Sequence, residues 1–322
     1  MFNKFRNSIL GFVLGDAVGV PFEFTSRYNL GTNPAKDMIG NGTHNQPIGT
    51  WSDDSSMMFI LMEWLINNKK NNIRFEDYSY KEYQNLKDLW KNWKDKGYWT
   101  PHGKCFDVGN QTKHSLNAIE LFGENSIDSE AQGNGAMMRS LPFAFLLNGN
   151  ISKENRFYIE QILTMTSNIT HGSSISNFYT KKYVDLVCSF IKPNNYDHSY
   201  GVYKTKGKIP GLSNGHSPET YNSVLHSIST NNIEYVECVE YFLYLVDVFK
   251  NKEEYFKNCI LKAINLGEDT DTVAALTGGV VGSLFDLNDV LPQDWLMNIV
   301  KFDSIEILIK DFYETFKKEI ES

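Results

Sequence analysis

A chain of 322 residues with 41% hydrophobic, 22% charged and 14% aromatic content can bury a large core and is globular in class. Its formal net charge of -8 argues against a general nucleic-acid binder, which needs a basic face to neutralise phosphates. Cys105, Cys188, Cys238 and Cys259 lack C-x-x-C spacing and no stretch is a long apolar run, so no disulfide framework, zinc site or membrane span is expected, and the reading is a reduced, cytoplasmic protein.

Helical periodicity dominates. In "NSILGFVLGDAVGV" (7–20), Ile9, Leu10, Val13, Leu14, Ala17 and Val18 predict one apolar helix face, and Gly11, Gly15 and Gly19 form a second stripe for close helix packing. Glu23 follows. Residues 30–50 read as a long loop, of the kind that usually carries function inside a compact domain. In "GTWSDDSSMMFI" (49–60), Ser52, Asp53 and Asp54 lead into the almost wholly apolar "MMFILMEWLI" (57–66), a core helix. "WKNWKDKGYWTPHGK" (90–104) interleaves lysines with aromatics like a stacking platform, but Asp95 interrupts it and the rest of the chain is acidic.

"CFDVGNQT" (105–112) sets Asp107 and Asn110 on a turn ahead of a helix. "QGNGAMMRSLPFAF" (132–145) has a turn, Gly133, Asn134, Gly135 and Ala136, whose backbone N–H groups at a helix start suit a phosphate or pyrophosphate. His171 lies in "ITHGSSISN" (169–177), and residues 192–220 form a second long loop. An amphipathic helix is predicted over 235–249. "GEDTDTVAALTGGVVGSLF" (267–285) places Asp269, Asp271 and Thr272 before a helix with Ala274, Gly278 and Gly282 every fourth residue, and 304–320 reads as a further helix. Little period-2 alternation is present, so the fold class is all-α, an orthogonal helical bundle in a single domain over 1–322.

Ser52, Asp53 or Asp54 alone would be an ordinary N-cap. A cap uses one carboxylate, yet the two helix starts together bring four, and clustered carboxylates repel one another without cations. Two divalent ions bring +4 against -4. An all-oxygen set made of Asp53, Asp54, Asp269 and Asp271 with the hydroxyls of Ser52 and Thr272 suits a hard ion, so the expectation is a pair of Mg²⁺ ions, with Mn²⁺ a possible substitute. No histidine pair stands at H-x-x-x-H spacing for zinc.

Taken in order, "GFVLGDAVGVPFEF", "TWSDD", "FDVGNQT", "GNGAMMR", "THGSS" and "GEDTDTVAALTGGVVGS" resemble the ADP-ribosylglycohydrolases, which remove ADP-ribose from arginine or serine. The resemblance implies an all-α fold with a dimagnesium centre ligated by Ser52, Asp53, Asp54, Asp269, Asp271 and Thr272. It sets the ADP-ribose phosphates at Gly133–Ala136, Asp107 and Asn110 at the scissile ribose, and His171 near the nucleotide. Glu23 matches a glutamate that gates the metals in serine-specific members. Catalytic roles fall to Asp107 and Glu23, one of them as acid or base, with Asp54 and Asp269 at the metals. Ser52 stands where threonine is usual and Glu268 where glycine is common, while the substrate-side tyrosine has only Tyr235 as a candidate.

The expected reaction is hydrolysis of the bond between ADP-ribose and an arginine or serine side chain, through an oxocarbenium-like transition state. Its substrate is an ADP-ribosylated protein or an ADP-ribose-containing small molecule, with no membrane or nucleic-acid partner and a monomer as the default state. Two rivals are a non-catalytic ADP-ribose-binding relative and a Mg²⁺-dependent phosphatase suggested by "DTDTV". The phosphatase requires that motif to end a β-strand, whereas the preceding "NCILKAINLG" reads as helix. The 192–220 loop is the expected seat of leaving-group choice.

Overall fold

The side chains of Ser26, Ser52, Ser152 and Asn251 cap the starts of four helices in the computed structural model, which describes residues 1–122, 132–192, 211–228, 251–288 and 290–322. In chain order the helices are α1 (Phe2–Gly19), α2 (Arg27–Thr32), α3 (Asp53–Lys70), α4 (Tyr80–Lys96), α5 (Asn110–Asn117), α6 (Leu141–Asn148) and α7 (Lys153–Asn168). They continue with α8 (Ser174–Ile191), α9 (Ser217–Ile228), α10 (Lys252–Ile264), α11 (Thr270–Ser283), α12 (Gln293–Leu296), α13 (Phe302–Thr315) and α14 (Lys317–Glu321). Among the described residues no strand forms and β-structure is confined to isolated bridges, among them the antiparallel one between Asn41 and Gln46, so the all-α expectation holds. No described helix is long and apolar enough to cross a membrane. The helix expected over 235–249, with Tyr235 and Cys238, and most of the 192–220 loop lie outside the described residues.

The described chain divides into two compact units. The first comprises 51–185 and 300–322, with Met1. At its heart is α3, buried from Asp53 through Met62, because its apolar residues are not confined to one stripe. It packs against α4, α13 and the 3₁₀ turn Met137–Arg139. Helix α4 is amphipathic, with Tyr83, Leu86, Trp90 and Trp93 inward; a Ser79–Glu82 capping box starts it and Gly97, at φ 71°, ends it. Two of the three tryptophans of the suspected stacking platform, Trp90 and Trp93, are therefore core residues. The helix expected over 304–320 is two: Phe316 leaves helical geometry (φ -111°, ψ 19°) and packs its ring against Phe312 and Phe75.

The second unit comprises 2–50 and 186–299. Helices α1 and α11 are its tightest pair, and α9 and α10 pack on α11. The stripes read from the sequence are the contact: a Cβ on Gly15 would lie 2.0 Å from Ala274 O, one on Gly278 2.0 Å from Gly11 O, and one on Gly282 2.2 Å from Asn7 O. Every residue of α11 is buried. The sequence predicted a single apolar face on α1, yet from Asn7 to Gly19 it is buried all round, polar Asn7, Ser8 and Asp16 included. The difference has a local cause: Asn7 Nδ2 donates to Phe285 O and Leu287 O, and Ser8 Oγ to Gly279 O, so polar faces are buried with their bonds made.

Candidate active site

In the second unit the N-terminus of α11 faces the residues that follow α1. Gly19 permits it, since a Cβ there would lie 2.4 Å from Asp271 Cα. Thr270 Oγ1 donates to Gly19 O, Phe24 N to Glu268 O and Glu268 N to Thr25 O, so the two segments are stitched together. Gly267 and Glu268 take left-handed backbone (φ 78° and 67°) to turn the chain into the helix. Three carboxylates converge as a result: one oxygen each of Glu23, Asp269 and Asp271 lie within 4.8 Å of one another. Glu23 is 5% and Asp271 1% exposed. Asp269 is the N-cap residue yet makes no side-chain cap bond; its Oδ2 accepts from Ser213 Oγ at 3.4 Å. Asp271 Oδ1 accepts from Thr272 N at 2.9 Å, and Thr272 is itself buried.

Sequence reasoning missed His44, whose Nε2 pairs with Glu23 Oε2. The only cue was its place in a Gly/Asn-rich loop.

In the first unit the cap of α3 is made by Ser52, whose Oγ accepts from Asp54 N (3.2 Å) and donates to Asp54 Oδ2 (3.1 Å). Capping is thereby satisfied, and the buried carboxylates of Asp53 and Asp54 are surplus to it. Asp107 is half-buried with φ 51°, and Asn110 is exposed at the first turn of α5. Asp53 and Asp107 share a neighbourhood. Burial and then both of their charges push the Cys105 thiol up to about 12.

The Gly133–Ala136 turn opens into the 3₁₀ turn Met137–Arg139, with α6 starting only at Leu141; the sequence had led it straight into a helix. Gly135 seats the His171 ring, because a Cβ there would lie 2.5 Å from Cε1. Ser176 Oγ donates to Gly133 O (2.8 Å) and Arg139 Nη1 to Gly135 O (2.9 Å). Since a trans peptide directs N–H opposite to C=O, the Ala136 N–H points away from Arg139. Arg139, also missed by the sequence reading, is fully buried, stacks on Trp90 at 4.2 Å and donates to Thr166 O and Thr170 Oγ1. Burial lowers its guanidinium to about 9, opposed by Asp53, and leaves it a cation at neutral pH. Burial, and then Arg139, lower His171 to about 3; the ring is neutral, with Thr170 Oγ1 2.8 Å from Nδ1.

The donor set fits a hard divalent cation. Three carboxylates so close, two of them buried and Asp269 half-buried, repel one another, and their ligand atoms are all oxygen. Helix α10 precedes "DTDTV" and α11 begins within it at Thr270, which removes the strand required by the phosphatase reading.

The family model described as ADP-ribosylglycohydrolase matches residues 1–321. An ADP-ribosylarginine hydrolase Tri1 of Serratia proteamaculans is 24% identical over 331 aligned positions, covering 97% of this chain and 79% of its own. An ADP-ribosyl-[dinitrogen reductase] glycohydrolase of Rhodospirillum rubrum is 23% identical, covering 91% and 88%. The ADP-ribosylhydrolase ARH3 of Mus musculus is 20% identical, covering 98% and 92%. A solved structure titled "ADP-ribosylglycohydrolase-related protein complex" superposes with TM-score 0.66 at 19% identity, over 98% of both chains, and shares the fold.

Proposed function

The chain belongs to the ADP-ribosylglycohydrolase family, enzymes that hydrolyse glycosidic bonds of ADP-ribose, and from that premise we propose that it releases ADP-ribose from a modified arginine side chain in a divalent-cation-dependent reaction. The observation that carries the metal dependence is the convergence of buried Glu23 and Asp271 with half-buried Asp269 at the start of α11. Arginine is proposed because the ADP-ribosylarginine hydrolases from Serratia and Pseudomonas, whose names state the linkage, are 24% and 23% identical to this chain, against 20% for the ARH3 of Mus musculus.

Asp269 and Asp271 with Thr272, and Asp53 and Asp54 with Ser52, are the groups proposed to hold Mg²⁺ or Mn²⁺. A cation bound by such oxygens would grip the sugar hydroxyls and acidify a water. The remaining work falls to side chains. A carboxylate beside the anomeric carbon favours the oxocarbenium-like transition state by charge and handles a proton. Asp107 and Glu23 are proposed for it, with Asn110 against the ribose. The Gly133–Ala136 turn is proposed to receive the pyrophosphate, and neutral His171 fixes that turn and takes no proton. In balance, water adds to the anomeric carbon, the bond to the guanidine nitrogen breaks, and the proton lost by water ends on the departing guanidine.

The test is release of free ADP-ribose from arginine-linked and serine-linked substrates, with Mg²⁺ and then with EDTA. Arginine-linked release abolished by EDTA is expected. Release that survives chelation defeats the metal dependence, and release from serine alone reassigns the linkage.

A further inference from the structure

We infer that His44 is a positioning residue, held by the 41–46 loop to fix the carboxylate of Glu23 beside Asp269 and Asp271; the inference rests on the function proposed above. Glu23 is the member of that cluster most in need of a hold. It follows the 3₁₀ turn Val20–Phe22, lies on no helix, and has three rotatable side-chain bonds. Two carboxylates close by push its own outward unless a donor opposes them.

The loop is shaped to supply that donor. Asn41, Gly42 and Asn45 all take positive φ (68°, 61° and 50°), costly for the asparagines and sustained only where surrounding contacts over-determine the backbone. Asn41 N donates to Gln46 O (2.6 Å) and Asn45 N to Gly42 O (3.2 Å), closing a tight turn. Gly42 lies so close to the Glu23 segment that a Cβ would come 2.0 Å from Pro21 O. Thr43 fastens the loop on both sides of Phe22, its N donating to Pro21 O (3.1 Å) and its Oγ1 to Glu23 O (2.6 Å). The next residue is His44, whose Nε2 meets Glu23 Oε2 while its ring lies 5.9 Å from that of Phe24. Backbone and side chain of Glu23 are thus both held by consecutive loop residues, one through its carbonyl and one through its carboxylate. A loop needed only for chain reversal has no use for that second bond.

Four variants test this: His44→Phe, which keeps a ring against Phe24, His44→Gln, whose amide nitrogen reaches as far as Nε2, Glu23→Gln, and Glu23→Gln with His44→Phe. Two readouts are taken: steady-state kcat and KM on the ADP-ribosylated substrate, and Mn²⁺ affinity by calorimetry without substrate. Losing a partner of this kind lowers activity or metal affinity by about 10- to 100-fold, with KM shifted by less than about 3-fold. His44→Gln should recover most of the loss, and His44→Phe should add little on top of Glu23→Gln. The inference is overturned by full additivity, by His44→Phe matching wild type in both readouts, or by a folded His44→Gln as impaired as His44→Phe. Where wild type releases no ADP-ribose from any substrate, the proposed function fails and the calorimetry alone decides: unchanged Mn²⁺ affinity in His44→Phe overturns the inference, and a loss of about tenfold sustains it.

Discussion

Asp269 and Asp271 hold like charges two residues apart at a buried helix start, with Glu23 as a third. Replacing both aspartates by asparagine keeps the volume and removes the repulsion, so the metal-free variant should melt no lower than metal-free wild type. Mn²⁺ should raise the melting temperature of wild type by more than that of the variant, which keeps the oxygens of Ser52, Asp53 and Asp54, because a ligand stabilises only the state that binds it. Turnover should fall by about 10³-fold or more. A variant that Mn²⁺ stabilises as much as wild type would clear these aspartates of any metal role. His171 gives a second residue-scale prediction, of pH dependence. Above about pH 6.5 it is neutral folded and unfolded; between 6.5 and about 3 only the unfolded chain takes up its proton, so stability falls as pH falls through that window. The contribution is at most about 1.4 kcal/mol per pH unit. Denaturant titrations at pH 7 and pH 5 should show a smaller acid loss for His171→Gln than for wild type; equal losses would mean the folded ring accepts the proton.

Between elements, the α1–α11 contact depends on absent side chains. Gly15→Ala drives a methyl group to 2.0 Å from a backbone carbonyl that has no room to retreat, and should cost about 1–3 kcal/mol or more. Gly31→Ala, in the exposed helix α2 with nothing within 4 Å of the new methyl, is the matched control and should be neutral or stabilising by up to about 1 kcal/mol. Denaturation midpoints compare the two, and equal effects would refute the close-approach account. This contact was legible because its signal is local and periodic: Gly11, Gly15 and Gly19 on one helix, Ala274, Gly278 and Gly282 on the other, each four apart. The helix starts at Ser52 and Asp269 were legible for the same reason. His44 and Arg139 were not. The pairing of His44 with Glu23 depends on three positive φ angles in a loop, and Arg139 bonds carbonyls up to 27 residues away. Neither leaves a period in the sequence. The apolar face assigned to α1 was too narrow because no hydropathy pattern reports that Asn7 and Ser8 find buried carbonyls.

Across the whole molecule, 39 acidic side chains against 31 basic ones set a field that opposes the proposed substrate, whose diphosphate is an anion. Long-range attraction therefore does not bring ADP-ribose in, and recognition rests on short-range contacts such as those proposed for the Gly133–Ala136 turn. Salt tests this directly. The Debye length shrinks to about 10 Å at 0.1 M, so added NaCl screens the repulsion while leaving contacts in a desolvated site largely intact. With Mg²⁺ held constant and saturating, kcat/KM should stay level or rise by up to about 2-fold between about 20 and about 200 mM NaCl. An electrostatically steered enzyme would behave oppositely, losing association rate steeply over that range. A tenfold fall in kcat/KM would show that a local cationic surface governs capture despite the net charge, and would move the search for substrate-binding residues from the turn to exposed lysines.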